Sequence, residues 1–123
     1  MSNEQLENFE ELGRRAVACK HWRWMEGMKV VFPPVHEGDT GFCKRLSYDD
    51  YNLVDMEYPD LSDPATLGCL LALVREVHGD PRMFVETYSF LRDEWRCRGV
   101  WFSSEWDATT EAAALVAALE GAP

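Results

Sequence analysis

The segment Ser62-Asp63-Pro64 to Gly79-Asp80-Pro81 constrains this chain more than any other. Ser62 or Asp63 can cap a helix, Pro64 fits its first position, and Gly79 before Asp80-Pro81 stops it. Between them Leu67, Leu70, Leu71, Val74 and Val77-His78 trace one apolar face. Such a helix is stable only when other elements cover that face, so the segment predicts a packed core. The chain has 123 residues, 46% of them hydrophobic. That length predicts one domain spanning residues 1–123, burying roughly two thirds of the surface of the unfolded chain. The apolar run Leu67 to Val74 is too short to cross a bilayer, and the first residues lack a basic-then-apolar leader. A cytoplasmic location without membrane contact is expected.

The flanks read as mixed structure. Ser2 or Asn3 can cap a first helix, whose stripe of Leu6, Phe9, Leu12 and Ala16-Val17 runs to about Cys19. Gly13 weakens it by about 1 kcal/mol relative to alanine. Trp22-Arg23-Trp24 and Met28 to Phe32 read as two short strands around a Glu26-Gly27 turn, with both indoles on one face. Pro33-Pro34 ends the second of them. Val35 to Arg45 reads as a loop, and Leu46 to Tyr58 as a strand with a polar face. From Arg82 to Phe102 a helix on Phe84, Tyr88, Leu91 and Trp95 competes with a hairpin turning at Arg92-Asp93-Glu94. The β-rich Met83-Phe84-Val85 and the alternation Trp95-Arg96-Cys97-Arg98 favour the hairpin. A last helix runs from Thr109 or Thr110 to Leu119 and stops at Gly121 and Pro123. The order predicts an α+β fold of two layers, an antiparallel sheet packed against about three helices.

Charge narrows the function classes. Acidic residues outnumber basic ones 22 to 12, for a net charge of −10. That surface repels phosphate backbones and anionic lipid, so neither direct nucleic-acid binding nor membrane docking is expected. No basic residue lies between Arg45 and Arg75, whereas Asp49, Asp50, Asp55, Glu57, Asp60 and Asp63 all do. Net acidity can serve solubility alone. It can also attract a basic partner.

The chemistry-bearing motifs are weak. Cys19, Cys43, Cys69 and Cys97 lack the close CxxC spacing of a zinc ribbon or redox dithiol, so free thiols are expected, Cys69 and Cys97 as small buried hydrophobes. Cys19, His21, His36 and Cys43 supply four potential zinc ligands, but at spacings that structural zinc sites avoid, and His21 and His36 read as surface and loop residues. Gly38-Asp39-Thr40-Gly41 contains the triplet of aspartic proteases, which a one-copy chain would have to complete by dimerising. The flanking Glu37-Gly38 and Phe42 do not fit such an enzyme, and turn composition alone explains the residues. Glu86 and Glu94 with Arg92 are conceivable acid–base groups, although a half-exposed strand pair yields the same residues. No phosphate-binding glycine loop, nucleophile elbow or HExxH pair is present, and no cofactor is implied. Five tryptophans, Trp22, Trp24, Trp95, Trp101 and Trp106, fit a sheet face packed on helices, or supply one or two anchors for a partner.

Three stretches resemble a group of short proteins encoded by bacteriophages and prophages, a group of no established activity. They are Ala18 to Met28 (with Cys19-Lys20-His21-Trp22-Arg23-Trp24), Pro59 to Glu76 (with Pro59-Asp60-Leu61-Ser62-Asp63-Pro64) and Thr110 to Glu120. The resemblance implies origin, and an extended segment before the last helix. Together with the acidic stretch it leads to the expected function: a non-enzymatic accessory protein that binds and modulates a host protein in the host-cell cytoplasm. A host defence or nucleic-acid-handling complex with a basic groove is the expected target. The expected docking residues are Tyr48, Asp49, Asp50, Tyr51, Asp55, Glu57, Tyr58 and Asp60, phenols and carboxylates on one acidic surface. The alternatives are a small hydrolase, metal-dependent or like a dimeric aspartic protease, and a minor virion or assembly component.

Overall fold

The computed structural model describes residues 3–34, 38, 40–47, 57–87, 94–99 and 105–123, with side chains from residue 9 onward. Among these residues the elements follow as α1 (Asn3–Ala18), β1 (Lys29–Phe32), β2 (Phe42–Arg45), β3 (Tyr58–Pro59), α2 (Pro64–His78), β4 (Phe84–Thr87), β5 (Trp95–Arg98), β6 (Glu105–Ala108) and α3 (Glu111–Glu120). The fold is α+β, as expected, but its strands divide into two antiparallel sheets, ordered β2-β1-β3 and β4-β5-β6.

The division follows from what each sheet covers. Helix α3 is buried on nearly every side, at Ala112, Ala114, Leu115, Val116, Ala118 and Leu119. Its alanines let neighbours approach closely, and α1, α2 and β4–β6 all pack around it. Leu12 and Ala16 of α1, Leu70, Leu73 and Val74 of α2, and Cys97 of β5 complete this main core. Strands β1–β3 instead enclose a second, smaller cluster of Met28, Val30 and Leu46, backed by Trp24, Phe32 and Cys69. Trp22 and Met25 pack against both clusters and join them.

Helix α2 begins and ends as its sequence dictates. Asp63 accepts from the Thr66 amide at 3.0 Å, and Pro64 opens the first turn. At the other end Gly79 is left-handed (φ 64°), and the amides of Gly79 and Asp80 close back on Glu76 and Arg75. Thr110 caps α3 by accepting from the Ala113 amide at 3.0 Å.

Several expectations change. Residues 21–25 are not a strand, and Trp22 and Trp24 do not share a sheet face; their rings meet edge to face at 5.2 Å and 86°. The Glu26-Gly27 turn forms, with the Met28 amide on the Met25 carbonyl and Gly27 at φ 94°. It launches β1 through a bulge in which Gly27 N–H donates to Leu46 C=O and Leu46 N–H donates to Met28 C=O. The expected loop from Val35 ends in a strand, β2, whose four residues are all exposed and show no buried alternation. Of the strand expected from Leu46 to Tyr58, residues 46–47 are not extended into a sheet, Tyr58 lies in β3, and 48–56 are outside the described residues. The β4–β5 hairpin forms in the register Phe84↔Arg98 to Thr87↔Trp95. Strand β6 was not expected, although Glu105-Trp106-Asp107-Ala108 alternates outward and inward. The four cysteines are free. Cys97 is buried and its thiol is pushed up to about 11 by that burial, whereas Cys69 is only partly buried.

Sheet and helix meet through one carboxylate. Asp63 caps α2, accepts from Thr66 Oγ1 at 2.9 Å, and takes two bonds from Arg45 of β2 at 2.7 and 2.9 Å. Thr66 Oγ1 in turn accepts the Lys29 amide at 2.8 Å. The Arg45 guanidinium and the Thr66 donors hold the Asp63 carboxyl well below the usual carboxylate range. A depressed folded value means that this interaction contributes fully above about pH 5 and fades as the pH falls below it. Asp63→Asn keeps a cap and removes the charge. Urea melts from pH 7 to pH 2 should show the variant less stable at neutral pH, with a flatter acid slope, and the two proteins converging at the acid end.

Candidate functional site

Strand β3 carries the two described residues that bring the acidic stretch back into the fold. Val30 pairs with Pro59 and Val31 with Tyr58, and α1 lies over the strand. The approach is close: a Cβ on Gly13 would stand 2.9 Å from the Pro59 carbonyl and 3.2 Å from the Tyr58 ring. Gly13 therefore earns its place in the helix by contact with β3, a signal that propensity alone hides.

At this seam Glu57, Tyr58 and Asp60 come together. The Arg14 guanidinium stands over the Tyr58 ring at 4.9 Å from its centroid and donates to Glu10 one turn earlier, at 3.0 Å from Nη2. Glu57 is half-buried, and its Oε2 is shut off from solvent with no hydrogen-bond partner among the described residues. With Arg14, Val17 and Ala18 it lines a groove of about 270 Å³. A second groove of about 200 Å³ runs past Tyr58, Asp60 and Ser62. Burial pushes the Tyr58 phenol above its ordinary value; the Glu10 charge adds to that, and Arg14 opposes it.

The potential of this face is lower than the bare count of carboxylates suggests. Asp60 is 3.5 Å from Lys29 Nζ, and its Oδ1 accepts from both the Ser62 amide and hydroxyl. Asp63 belongs to Arg45. The expectation of uncompensated charge is thus corrected at Asp60 and Asp63, because basic residues from β1 and β2 reach across to them. Tyr48, Asp49, Asp50, Tyr51 and Asp55 lie outside the described residues. Glu10 and Arg14 were missed as members of the site, although their i,i+4 spacing on the first helix was legible.

The competing constellations disperse where they are described. The Cys19 thiol donates to the Leu119 carbonyl at 3.7 Å, and His21 Nε2 lies 3.2 Å from the Ala122 carbonyl, so His21 packs on the C-terminal segment rather than standing on the surface. Cys43 is exposed on β2, and His36 and Asp39 are outside the described residues. Among the described residues no group of three or more His, Cys, Asp or Glu could hold a metal ion. Glu86 is paired with Arg98 at 2.8 Å, while Arg92 falls outside the described residues. Trp22, Trp95 and Trp106 pack against the main core and Trp24 against the smaller one; Trp101 is outside the described residues. No described helix is long and apolar enough to cross a membrane. No family model, curated protein or solved structure matches this chain.

Two measurements test the seam. Gly13→Ala should destabilise the protein by about 1–3 kcal/mol through overpacking against the Pro59 backbone. Gly68→Ala in α2, where a Cβ meets nothing within 4 Å, should stabilise it by about 1 kcal/mol; chemical denaturation reads both. Arg14→Gln should raise the Tyr58 phenol further and Glu10→Gln should lower it, as followed by tyrosinate absorbance or tyrosine-ring NMR during an alkaline titration.

Proposed function

We propose that the protein is a non-enzymatic accessory protein, of bacteriophage or prophage origin, that binds and modulates a host protein in the host-cell cytoplasm. It does so through the acidic, tyrosine-bearing surface formed by Tyr48, Asp49, Asp50, Tyr51, Asp55, Glu57, Tyr58 and Asp60. The observation that carries this reading is the Glu57 carboxylate, with one oxygen removed from water and given no donor by the described residues. Leaving such an oxygen unsatisfied is costly, and a lysine or arginine entering the groove beside Arg14, Val17 and Ala18 supplies the missing donor once the Glu57 side chain turns out toward it. Tyr58 next to it offers a ring and a hydroxyl at the seam, the kind of group that dominates interface energetics.

A target with a basic groove suits this surface best. Carboxylates spaced along a surface stand in for the phosphates that such a groove holds, and the net charge of −10 speeds the encounter. A nucleic-acid-handling enzyme or a defence complex has that character.

The test begins with a tagged copy purified from infected host cells and the partner it retains. Replacing Asp49, Asp50, Asp55 and Glu57 together by lysine should slow association with that partner about 10-fold or more at low salt. Raised salt should slow the unaltered protein in the same direction. Association indifferent both to the four substitutions and to salt refutes the charge-led reading.

A further inference from the structure

The walls of the groove beside Glu57 bear on which cation enters it. They are Glu57, Arg14, Val17 and Ala18, around a space of about 270 Å³. Glu57 brings the one carboxylate, and its Oε2 has no donor among the described residues. Its charge is not engaged by any described cation, whereas Asp60 and Asp63 are held by Lys29 and Arg45. Arg14 is turned to other partners. Its Nε and Nη2 both donate to Glu10 Oε1, at 3.3 and 3.0 Å, and its guanidinium covers the Tyr58 ring.

Lysine and arginine ask different things of such a groove. A guanidinium brings five N–H donors in a fixed plane and pairs best where acceptors are spread along that plane. Glu57 is the only acceptor side chain among the lining residues; Val17 and Ala18 offer methyl groups, and Arg14 is itself a donor. A second guanidinium would leave several donors against apolar wall or against a like charge, and each desolvated donor left unpaired weakens binding. An ammonium is a compact charge with three donors at the end of four methylenes. It can meet Glu57 with one donor and keep water on the others, while its stem lies along Val17 and Ala18.

We propose that this groove takes a lysine side chain of the partner protein in preference to an arginine. The stem packs on Val17 and Ala18, and the ammonium donates to Glu57 once that side chain turns out toward it. Arg14 sets the preference, because it places a donor where a guanidinium would need an acceptor. This selectivity rests on the docking reading proposed above and names the group that enters. It calls on no carboxylate that a described cation already holds.

The test uses the full chain, labelled with ¹³C in its glutamate carboxyls and its alanine and valine methyls. Two capped five-residue glycine peptides are the probes, one with a central lysine and one with a central arginine. The lysine peptide should move the Glu57 carboxyl signal together with the Val17 and Ala18 methyl signals, beyond what sodium chloride of equal ionic strength does. The arginine peptide should bind about three-fold more weakly or worse. Glu57→Gln keeps the shape and removes the charge, and should abolish the movement at Val17 and Ala18. Arg14→Gln replaces a pure donor by a group that also accepts. It should bring the arginine peptide to within about two-fold of the lysine peptide. No movement beyond the salt control at about 50 mM lysine peptide overturns the proposal. Equal or tighter binding of the arginine peptide to the unaltered protein overturns it too, as does a preference that Arg14→Gln leaves unchanged. The docking reading fails separately, on partner association indifferent to charge reversal and to salt.

Discussion

The carboxylate of Asp63 is the point on which the arrangement of helix and sheet depends. One side chain caps α2, receives the Arg45 guanidinium in a two-bond fork, and accepts from the hydroxyl of Thr66. Through Thr66 it reaches the amide of Lys29 in β1, and through Arg45 the carbonyl of Gly27 in the turn that starts β1. Thr66 is the buried polar side chain among the described residues, and its hydroxyl is used as both acceptor and donor. Such a chain of bonds fixes direction as well as distance, which apolar contact alone does not. The sheet β2-β1-β3 needs it, because the apolar cluster beneath that sheet is only Met28, Val30 and Leu46 with their neighbours.

The other sheet is held by bulk burial and finished by charge. Cys97 and Val85 turn inward to α3 and α2, and the outward face carries Arg96 between Glu105 and Asp107 and Arg98 against Glu86. Arg15 closes on Glu120, and Arg23 on Glu76. Arg14, Arg15, Arg23, Lys29, Arg45, Arg96 and Arg98 thus each sit on a carboxylate. Most of the surplus of −10 therefore lies on carboxylates outside these pairs, Glu57 among them. Net charge by itself located nothing; the pairing does.

Much of this was legible in the chain because local signals agreed with each other. Asp63, Pro64 and Gly79 delimit α2, Thr110 delimits α3, and the alternation Trp95-Arg96-Cys97-Arg98 marks a strand with one buried face. What escaped lacks such agreement. Strand β2 is exposed at every residue, so no periodicity betrays it, and only its pairing with β1 makes it a strand. Trp22 and Trp24 alternate as a strand would, but the core junction holds their rings edge to face, and tertiary packing overrides the local pattern. The groove at the α1–β3 seam depends on Gly13, whose meaning lies in a contact with Pro59 far along the chain. Asp60 and Asp63 read as free charge because their cations, Lys29 and Arg45, are distant in sequence.

The division into two sheets also separates a filled interior from a thinly packed one. Around α3 the interior is filled, and the outer face of β4–β6 carries ion pairs. The sheet β2-β1-β3 has a thin core, an edge strand exposed at all four residues, and a seam where Glu57 Oε2 has no donor among the described residues. Its two edges lie two strand spacings apart, on the order of 10 Å. The Asp63 network holds them in fixed relation. For the docking reading proposed above, the arrangement of the carboxylates rather than their number is therefore the discriminating quantity.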